Sequence, residues 1–291
     1  MKTDNRPKHG VESPDEPLLT IYGFGYVGRG LIRFLKDHYA LVAVDPNPDK
    51  KVVKELGITV FRSPKEAPAT PYGVICVPTP DTGDGTCDTS IVEEVLKGST
   101  HEHYLIKSTV VPGTTERLIK QTKRRIVFSP EFMGEGKYEI PYWKNYPHPT
   151  NMKLHSFHIF GGEREETQVW VNLWQKVAGW AVRYYQTTST TAELQKYMEN
   201  AFLATKKIFC DEFYDIARAF GVNYSELREL WLLDERMGSS QSLIFPESRG
   251  FGGKCLPKDV VAIVKAAEEK GYSAELIKEV LRSNNRFRTD V

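Results

Sequence analysis

Short apolar segments alternate with helix-like segments through the first half of the chain. The apolar segments are Leu18–Tyr22, Leu41–Asp45, Gly73–Val77, Tyr104–Lys107 and Arg125–Phe128. The third of them is apolar throughout, as in a parallel strand that is buried on both faces. The first is followed by Leu31, Ile32 and Leu35, which share one face of a helix. This alternation predicts an α/β fold built on a doubly wound parallel sheet, as in a Rossmann domain.

The second half has a different pattern. Two short runs, Phe157–Phe160 and Val182–Tyr185, indicate edge strands that finish the sheet, with a helix between them at 166–177. A helical pattern then runs from about residue 190 to Gly221, which ends it. At 1.5 Å per residue this long central helix would measure about 45 Å, enough to span two domains or to form a dimer core. Shorter helices are expected at 224–233, 257–270 and 273–285.

These patterns divide the chain into segments. We predict a disordered lead-in at 1–17, a nucleotide-binding domain at 18–188 and a helical substrate and dimerisation domain at 189–291. Residues 134–156 read as an irregular excursion. Thr190 and Thr191 with Glu193 resemble the start of the long helix. The residues expected to supply its apolar surface are Leu194, Met198, Phe202, Ile208, Phe209 and Phe213.

Composition excludes several classes of protein. The chain has 291 residues, 40% of them hydrophobic, and a net charge of +1. Neither binding to nucleic acid nor binding to a membrane surface is therefore indicated. No apolar run approaches the roughly 18 residues of a membrane span. The cysteines, Cys76, Cys87, Cys210 and Cys255, form no CxxC pair, which argues against disulfides or zinc and favours the cytoplasm. The histidines show no metal-ligand spacing, so no metal is expected.

A glycine-rich fingerprint lies between the first predicted strand and the first predicted helix, the context that dinucleotide binding requires. Its residues are Gly23, Phe24, Gly25, Tyr26, Val27 and Gly28. Asp45 ends the next strand, where it could accept hydrogen bonds from the adenosine ribose and repel a 2′-phosphate, which favours NAD over NADP. The alternative is that Asp45 only begins an Asp-Pro-Asn-Pro turn.

Chemically distinctive residues follow the later strands. They are Val77, Pro78, Thr79 and Pro80 after the third strand, Ser108 and Thr109 after the fourth, and Glu131 after the fifth. Because ligands of open α/β sheets bind outside the carboxyl ends of the strands, we expect these residues to surround one site with the glycine fingerprint.

The segment Gly250–Asp259 places Cys255 just before a predicted helix whose first residue would be Pro257. The helix dipole and the two flanking lysines would lower the pKa of this thiol and make it a nucleophile. Asp259 follows on the same helical face. The alternative is a buried structural cysteine in a Gly-rich loop.

Lys196 and Asn200 lie four residues apart in the long helix. They therefore share a face and could project together into the cleft. A solvated Lys–Asn pair is the alternative.

Seven parts of the chain together resemble the UDP-glucose/GDP-mannose dehydrogenases, the NAD-dependent nucleotide-sugar 6-dehydrogenases. They are Gly23–Gly28, Val77–Pro80, Lys107–Pro112, Ser129–Phe132, Ala192–Lys196 with Asn200–Leu203, Asp234–Gly238 and Gly250–Asp259. A simple two-domain hydroxyacid dehydrogenase would share only the first of these.

The resemblance implies a four-electron oxidation of a primary alcohol to a carboxylate with two NAD⁺. Lys196 and Asn200 would hold the reacting sugar oxygen, while a water held by Asp259 and Thr109 would take the hydroxyl proton. Cys255 would capture the aldehyde as a thiohemiacetal, which the second hydride transfer converts into a thioester. Water positioned by Glu131 or Asp259 would hydrolyse the thioester.

The resemblance also implies ligand contacts and a partner. Cofactor contacts are expected from the glycine fingerprint, Asp45, Val77–Pro80, Ser108, Thr109, Glu135 and Lys258. Substrate contacts are expected from Glu131, Phe132, Glu135, Lys196, Asn200, Phe251 and Gly252. Arg236 would reach the substrate of a neighbouring subunit, which implies a homodimer through the long helix.

In this family a third domain, which binds the nucleotide half of the sugar donor, follows the cysteine segment, whereas this chain stops at Val291. UDP-glucose is the first expected substrate, ahead of UDP-N-acetylhexosamines and GDP-mannose. Two other functions stay open: a homologue that binds NAD without turnover, and a simpler NAD-dependent sugar or hydroxyacid dehydrogenase.

Overall fold

A computed structural model describes residues 18–83, 85–133, 151–253 and 255–288. The strands are β1 (Leu19–Tyr22), β2 (Leu41–Val44), β3 (Thr59–Phe61), β4 (Tyr72–Ile75), β5 (His103–Ile106), β6 (Ile126–Phe128), β7 (Phe157–Gly161) and β8 (Arg183–Thr187). The helices are α1 (Tyr26–Leu35), α2 (Lys50–Leu56), α3 (Ser90–Gly98), α4 (Thr114–Thr122), α5 (Arg164–Ala178), α6 (Ser189–Ala219), α7 (Tyr224–Trp231), α8 (Leu256–Glu269) and α9 (Glu275–Arg288). The predicted lead-in and most of the excursion at 134–156 lie outside the described residues.

All eight strands belong to one sheet in the order β3-β2-β1-β4-β5-β6-β7-β8. Neighbouring strands are parallel except β6 and β7, which are antiparallel. The predicted doubly wound α/β sheet is confirmed. Of the two predicted edge strands, β8 is an edge, whereas β7 lies between β6 and β8. β3 was not predicted, because it is short and only half-buried.

The sheet is covered on both faces. Leu19 and Ile21 of β1 pack in one apolar cluster with Trp174 of α5. Tyr22 of the same strand points to the other face, where it packs in a second cluster with Leu118 of α4. Alternation along one strand therefore fills two cores, which is the usual packing of helices on both sides of a parallel sheet.

The long helix α6 spans Ser189–Ala219, close to the predicted bounds. Its N-cap is Thr188, whose Oγ1 accepts a hydrogen bond from Thr191 N at 3.2 Å. The prediction that Glu193 forms part of this start signal is wrong, since its carboxylate bonds to the start of α4 instead.

The other face of α6 joins the sheet to the C-terminal helices. Ala204 and Ile208 pack with Phe251, Val260 of α8 and Val280 of α9 in a third apolar cluster. Ile208 thus supplies apolar surface to this cluster, as predicted. The other residues predicted to supply apolar surface of the helix are exposed: Leu194, Met198, Phe202, Phe209 and Phe213. Among the described helices, none is long and apolar enough to span a bilayer.

Candidate active site

The glycine fingerprint forms the turn from β1 into α1. Gly28 packs so closely that a Cβ there would lie 1.9 Å from the carbonyl oxygen of Gly23. A Cβ at Gly25 would meet no atom within 4 Å, so the space in front of the turn is open. Gly25 is also the N-cap of α1 and supplies no capping side chain. Open space before uncapped N–H groups at a helix N-terminus fits the pyrophosphate of NAD.

Asp45 begins a turn and also faces this loop. Its Oδ1 accepts a hydrogen bond from Asn47 N at 2.8 Å, as the turn interpretation requires. Its Oδ2 accepts one from Phe24 N at 2.8 Å. The carboxylate is therefore fixed beside the glycine turn, and its oxygens keep lone pairs for ribose hydroxyls. Ribose binding by Asp45 stays a prediction.

Hydroxyl groups tie the loops after β4 and β5 together. Ser108 Oγ donates to the carbonyl oxygen of Val77 at 2.7 Å. Thr79 Oγ1 donates to the carbonyl oxygen of Thr109 at 2.7 Å. The predicted residues of these two strand ends are thus brought to one edge of the sheet.

Glu131 follows β6 and is buried against Lys107, which follows β5. Lys107 Nζ lies 3.3 Å from Glu131 Oε2 and donates to Ser129 Oγ at 3.2 Å. Glu131 Oε1 accepts hydrogen bonds from the N–H groups of Phe132 and Met133 at 2.8 and 2.9 Å. Burial would raise the pKa of Glu131, but Lys107, a nearby histidine and these N–H groups outweigh burial and hold the pKa below its ordinary value.

Asp259 is the second buried carboxylate of the site and lies in the first turn of α8. Asn200 Nδ2 donates to Asp259 Oδ2 at 2.6 Å, although the two residues are 59 positions apart. Lys258 Nζ donates to Asp259 Oδ1 at 2.6 Å. Asn200 is only 5% exposed, so the alternative of a solvated Lys–Asn pair is wrong for Asn200.

Cys255 is the N-cap of α8 and its side chain is exposed. Its carbonyl oxygen accepts a hydrogen bond from Asp259 N at 2.9 Å, so both residues belong to one turn. The helix begins at Leu256, so Pro257 is its second residue and not its first as predicted. The alternative of a buried structural cysteine is also wrong for Cys255, whereas Cys210 is 1% exposed and fits that description.

Lys196 connects the helical half of the site to the sheet half. Its Nζ lies 5.3 Å from the ring centroid of Phe132, close enough for a cation–π contact. Phe132 in turn packs on Phe157 of β7 with ring centroids 4.8 Å apart. Two residues predicted to contact substrate therefore lie side by side.

Polar side chains from two helices hold the loop that precedes Cys255. Asp211 Oδ2 of α6 accepts a hydrogen bond from Gly250 N at 2.9 Å, and Asn284 Oδ1 of α9 accepts one from Phe251 N at 2.7 Å. The side chain of Phe251 is buried in the third apolar cluster. Any contact of Phe251 with a sugar would therefore come from its backbone.

The remaining predicted substrate residues have different surroundings. Gly252 packs against Arg288, whose Nη1 would lie 2.3 Å from a Cβ at that glycine. Arg236 is largely exposed and its Nε donates to Asp234 Oδ1 at 2.9 Å. Glu135 lies outside the described residues. The subunit contact predicted for Arg236 stays a prediction.

Sequence reasoning missed the long-range role of Glu193. This fully buried carboxylate accepts hydrogen bonds from Gly113 N at 2.6 Å and Thr115 N at 2.8 Å, at the start of α4. It also accepts one from Thr115 Oγ1 at 2.6 Å. Burial raises the pKa of Glu193. No local pattern joins positions 78 and 80 residues apart, so nothing in the sequence indicated this contact.

A second thiol also lies beside the site. Cys87 Sγ is 3.5 Å from the carbonyl oxygen of Thr109. Burial raises the pKa of the Cys87 thiol, so it is a poorer nucleophile than an exposed cysteine at a helix start.

Two family models match the chain. Residues 50–142 match the NAD binding domain of the UDP-glucose/GDP-mannose dehydrogenase family. Residues 190–286 match the central domain of the same family. The first match identifies the sheet half as an NAD-binding domain, as the glycine turn and Asp45 predicted.

Individual relatives agree with these matches. The UDP-glucose 6-dehydrogenase of Rickettsia conorii is 30% identical over 222 residues, which cover 72% of this chain and 48% of the relative. The GDP-mannose 6-dehydrogenase of Azotobacter vinelandii is 28% identical over 235 residues, which cover 74% and 51%. The chain thus spans about half the length of these curated relatives. A solved UDP-glucose dehydrogenase from Pyrobaculum islandicum matches with a TM-score of 0.77 and 26% identity, covering 97% of this chain and 70% of that structure.

Proposed function

Because the chain belongs to the UDP-glucose/GDP-mannose dehydrogenase family, we propose that it oxidises the C6 primary alcohol of a nucleotide sugar to the carboxylate with NAD⁺. The observation that carries this proposal is the pairing of Asn200 with Asp259, one helical turn from an exposed Cys255. An oxygen-holding amide, a carboxylate and a nucleophile are thereby gathered at one helix start. UDP-glucose is the favoured substrate, because the Rickettsia relative is a UDP-glucose 6-dehydrogenase.

Bound NAD⁺ would accept a hydride in each of the two oxidations. In the first, Lys196 and Asn200 hold the sugar oxygen and stabilise the negative charge that develops on it. The hydroxyl proton passes to a water held by Asp259 and Thr109. The product of this first oxidation is an aldehyde.

The second oxidation is proposed to proceed on the protein. The thiolate of Cys255 adds to the aldehyde carbon: a C–S bond forms, and the electron pair of the C=O π bond moves to the oxygen, which gives the anion of a thiohemiacetal. Loss of the second hydride, which bound NAD⁺ would accept, re-forms the C=O bond and leaves a thioester. Water then adds to the thioester carbon and gives one proton to Glu131 or Asp259. The C–S bond breaks, its electron pair returns to Sγ, and the acid is released. The exposure of Cys255 supports these steps, since the sulfur must be reached by substrate.

The exposed apolar face of α6 supports a homodimer through this helix. Met198, Phe202 and Phe220 are 75%, 64% and 81% exposed, and large apolar side chains in such a row are unusual on a monomer. In such a dimer, Arg236 is proposed to contact the substrate of the neighbouring subunit, and its exposed side chain is compatible with that role. We place the enzyme in the cytoplasm, where its thiols would stay reduced.

The test is the stoichiometry of NADH formed from UDP-glucose. Two NADH per sugar and a uronic acid product are expected. A single NADH per sugar with an aldehyde product would indicate a simpler dehydrogenase. NAD binding without turnover on UDP-glucose, UDP-N-acetylhexosamines or GDP-mannose would indicate a binding homologue, and either result would overturn the proposal.

A further inference from the structure

We propose that Lys107 is a positioning residue for thioester hydrolysis and acts through Glu131, an inference that rests on the proposed function. Its ammonium group keeps the Glu131 carboxylate charged and in one orientation, ready to accept a proton from the attacking water. Lys107 itself touches neither thioester nor water in this scheme.

The side chain of Lys107 is almost completely buried. Its side chain is 2% exposed and that of Glu131 is 7% exposed. Besides Glu131, the Nζ atom contacts Ser129 Oγ, the Ser129 carbonyl oxygen at 3.4 Å and the Pro130 carbonyl oxygen at 3.3 Å. The loop that carries Glu131 is therefore fixed on this one cation.

The two oxygens of Glu131 differ in their surroundings. Oε1 is held by the N–H groups of Phe132 and Met133. Oε2 is buried and makes no hydrogen bond within the described part of the chain, although Lys107 Nζ lies 3.3 Å away. A buried carboxylate oxygen that accepts no hydrogen bond is rare, and here it offers an acceptor for a water proton.

The other titratable groups around Glu131 contribute less than Lys107. Burial lowers the pKa of His158 on β7 to about 3, so this ring is neutral. Burial raises the pKa of Cys76, which follows β4, so this thiol is also neutral. His155, which precedes β7, lowers the pKa of Glu131 by less than Lys107 does. Lys107 is therefore the largest of the contributions that offset the burial of Glu131.

The hydrolytic step needs that charge. As the water oxygen bonds to the thioester carbon, one water proton moves to Oε2, and the C–S bond breaks toward Sγ of Cys255. Glu131 can take this proton only when its carboxylate is ionised. Without Lys107, burial would raise the pKa of Glu131 and leave it protonated at higher pH.

The decisive variant is Lys107→Met, studied by rapid-mixing kinetics and protein mass across a pH series. We expect the first NADH to form normally, whereas hydrolysis slows roughly tenfold for each unit by which the raised pKa of Glu131 exceeds the pH of the assay. Acyl-enzyme should accumulate on Cys255, and the rate should recover as the pH is raised. Lys107→Arg keeps the charge and should return the pH profile toward that of the wild type.

Lys97→Met is the matched control, because it removes the same charge from a side chain that is 73% exposed on α3. It should leave the pH profile of hydrolysis unchanged. A Lys107→Met enzyme with a wild-type hydrolysis rate and pH profile would overturn the proposal, as would the same profile shift in the Lys97 variant.

Unfolding free energy against pH gives a readout that needs no turnover. The pKa of Glu131 is lowered in the fold, so its stabilising contribution is present above its unfolded pKa and is lost as the pH falls through the folded pKa. Lys107→Arg should keep this contribution, and the double variant K107M/E131Q, which has no charge at these two positions, should lack it.

If no nucleotide sugar is oxidised by the wild type, the proposed function fails while this comparison of unfolding free energies still tests the Lys107–Glu131 pair. If the unfolding free energies of the two variants depended equally on pH, the proposed effect of Lys107 on the Glu131 carboxylate would be contradicted.

Discussion

The two sides of the site are built in different ways. On the sheet side, functional residues lie in loops after neighbouring parallel strands, and short bonds such as Ser108 Oγ to the Val77 carbonyl oxygen join one loop to the next. On the helical side, side chains of separate helices hold the start of α8 and the loop before it: Asn200 of α6 bonds to Asp259, and Asn284 of α9 bonds to the N–H group of Phe251.

This difference predicts how each side responds to substitution. Strand order alone brings the sheet-side loops together, so loss of a single hydroxyl leaves their geometry largely in place. The start of α8 lies outside the sheet, where packing in the third apolar cluster and a few buried polar contacts fix it. A single change on the helical side should therefore disable chemistry without unfolding the protein.

The largest effect is expected from Cys255→Ser. Serine is a far weaker nucleophile, so acid formation should fall on the order of a thousandfold or more while the first NADH still forms. The measurement is NADH stoichiometry together with trapping of released aldehyde. Cys210→Ala is the control, since it removes a buried thiol remote from the reaction and should preserve both oxidations. If the serine variant produced the acid at the full rate, Cys255 could not be the nucleophile of the covalent step.

The next effect compares one residue from each side. Asn200→Ala removes the donor to Asp259 Oδ2 and the proposed holder of the sugar oxygen, so kcat for the first oxidation should fall about a hundredfold. Ser108→Ala removes one loop-to-loop bond, and its kcat should fall less than about tenfold because one neutral hydrogen bond contributes about 1 kcal/mol. Both variants should keep their circular dichroism spectra. Equal losses at the two positions would contradict the contrast between the sides.

The same contrast governs what sequence alone could predict. The glycine turn, Asp45 and the strand ends were predictable because each depends on a short local pattern and on strand order. The segment around Cys255 was identified as a helix start with an error of one residue at Pro257.

Contacts between distant positions could not be predicted in this way. Glu193 looks like part of a local helix start, yet its bonds run to Gly113 and Thr115. Lys107 was part of a matching motif, but its burial against Glu131 depends on how the ends of β5 and β6 pack. Such pairings follow from tertiary packing, which no periodicity records.

On the sheet side, Gly28→Ala and Gly25→Ala separate folding from cofactor binding. A methyl group at Gly28 would lie 1.9 Å from the Gly23 carbonyl oxygen, so that variant should lose about 2 kcal/mol of unfolding free energy together with NAD affinity. The methyl group of the Gly25 variant meets no protein atom, so stability should change by less than about 0.5 kcal/mol while NAD affinity falls on the order of tenfold. Denaturant unfolding and calorimetric titration with NAD⁺ measure the two quantities. Unchanged affinity in the Gly25 variant would refute the assignment of the pyrophosphate to this turn.

The smallest effect concerns Glu193, which joins the helical side to the sheet side. Burial raises its pKa above the ordinary value of 4.5, so its stabilising contribution is complete below that value and is lost as the pH rises through the folded pKa. The Glu193→Gln side chain does not titrate and keeps one acceptor oxygen. The unfolding free energy of this variant should therefore differ from that of the wild type by about 1 kcal/mol. The wild type should become less stable relative to the variant as the pH increases. Urea unfolding from pH 4 to pH 8 gives the difference, with the exposed Glu94→Gln as the control. The hydrogen bonds of Glu193 within the described residues run to the start of α4. A difference between the two proteins that does not vary with pH would therefore contradict the raised pKa and mean that this contact joins the two sides without a burial cost.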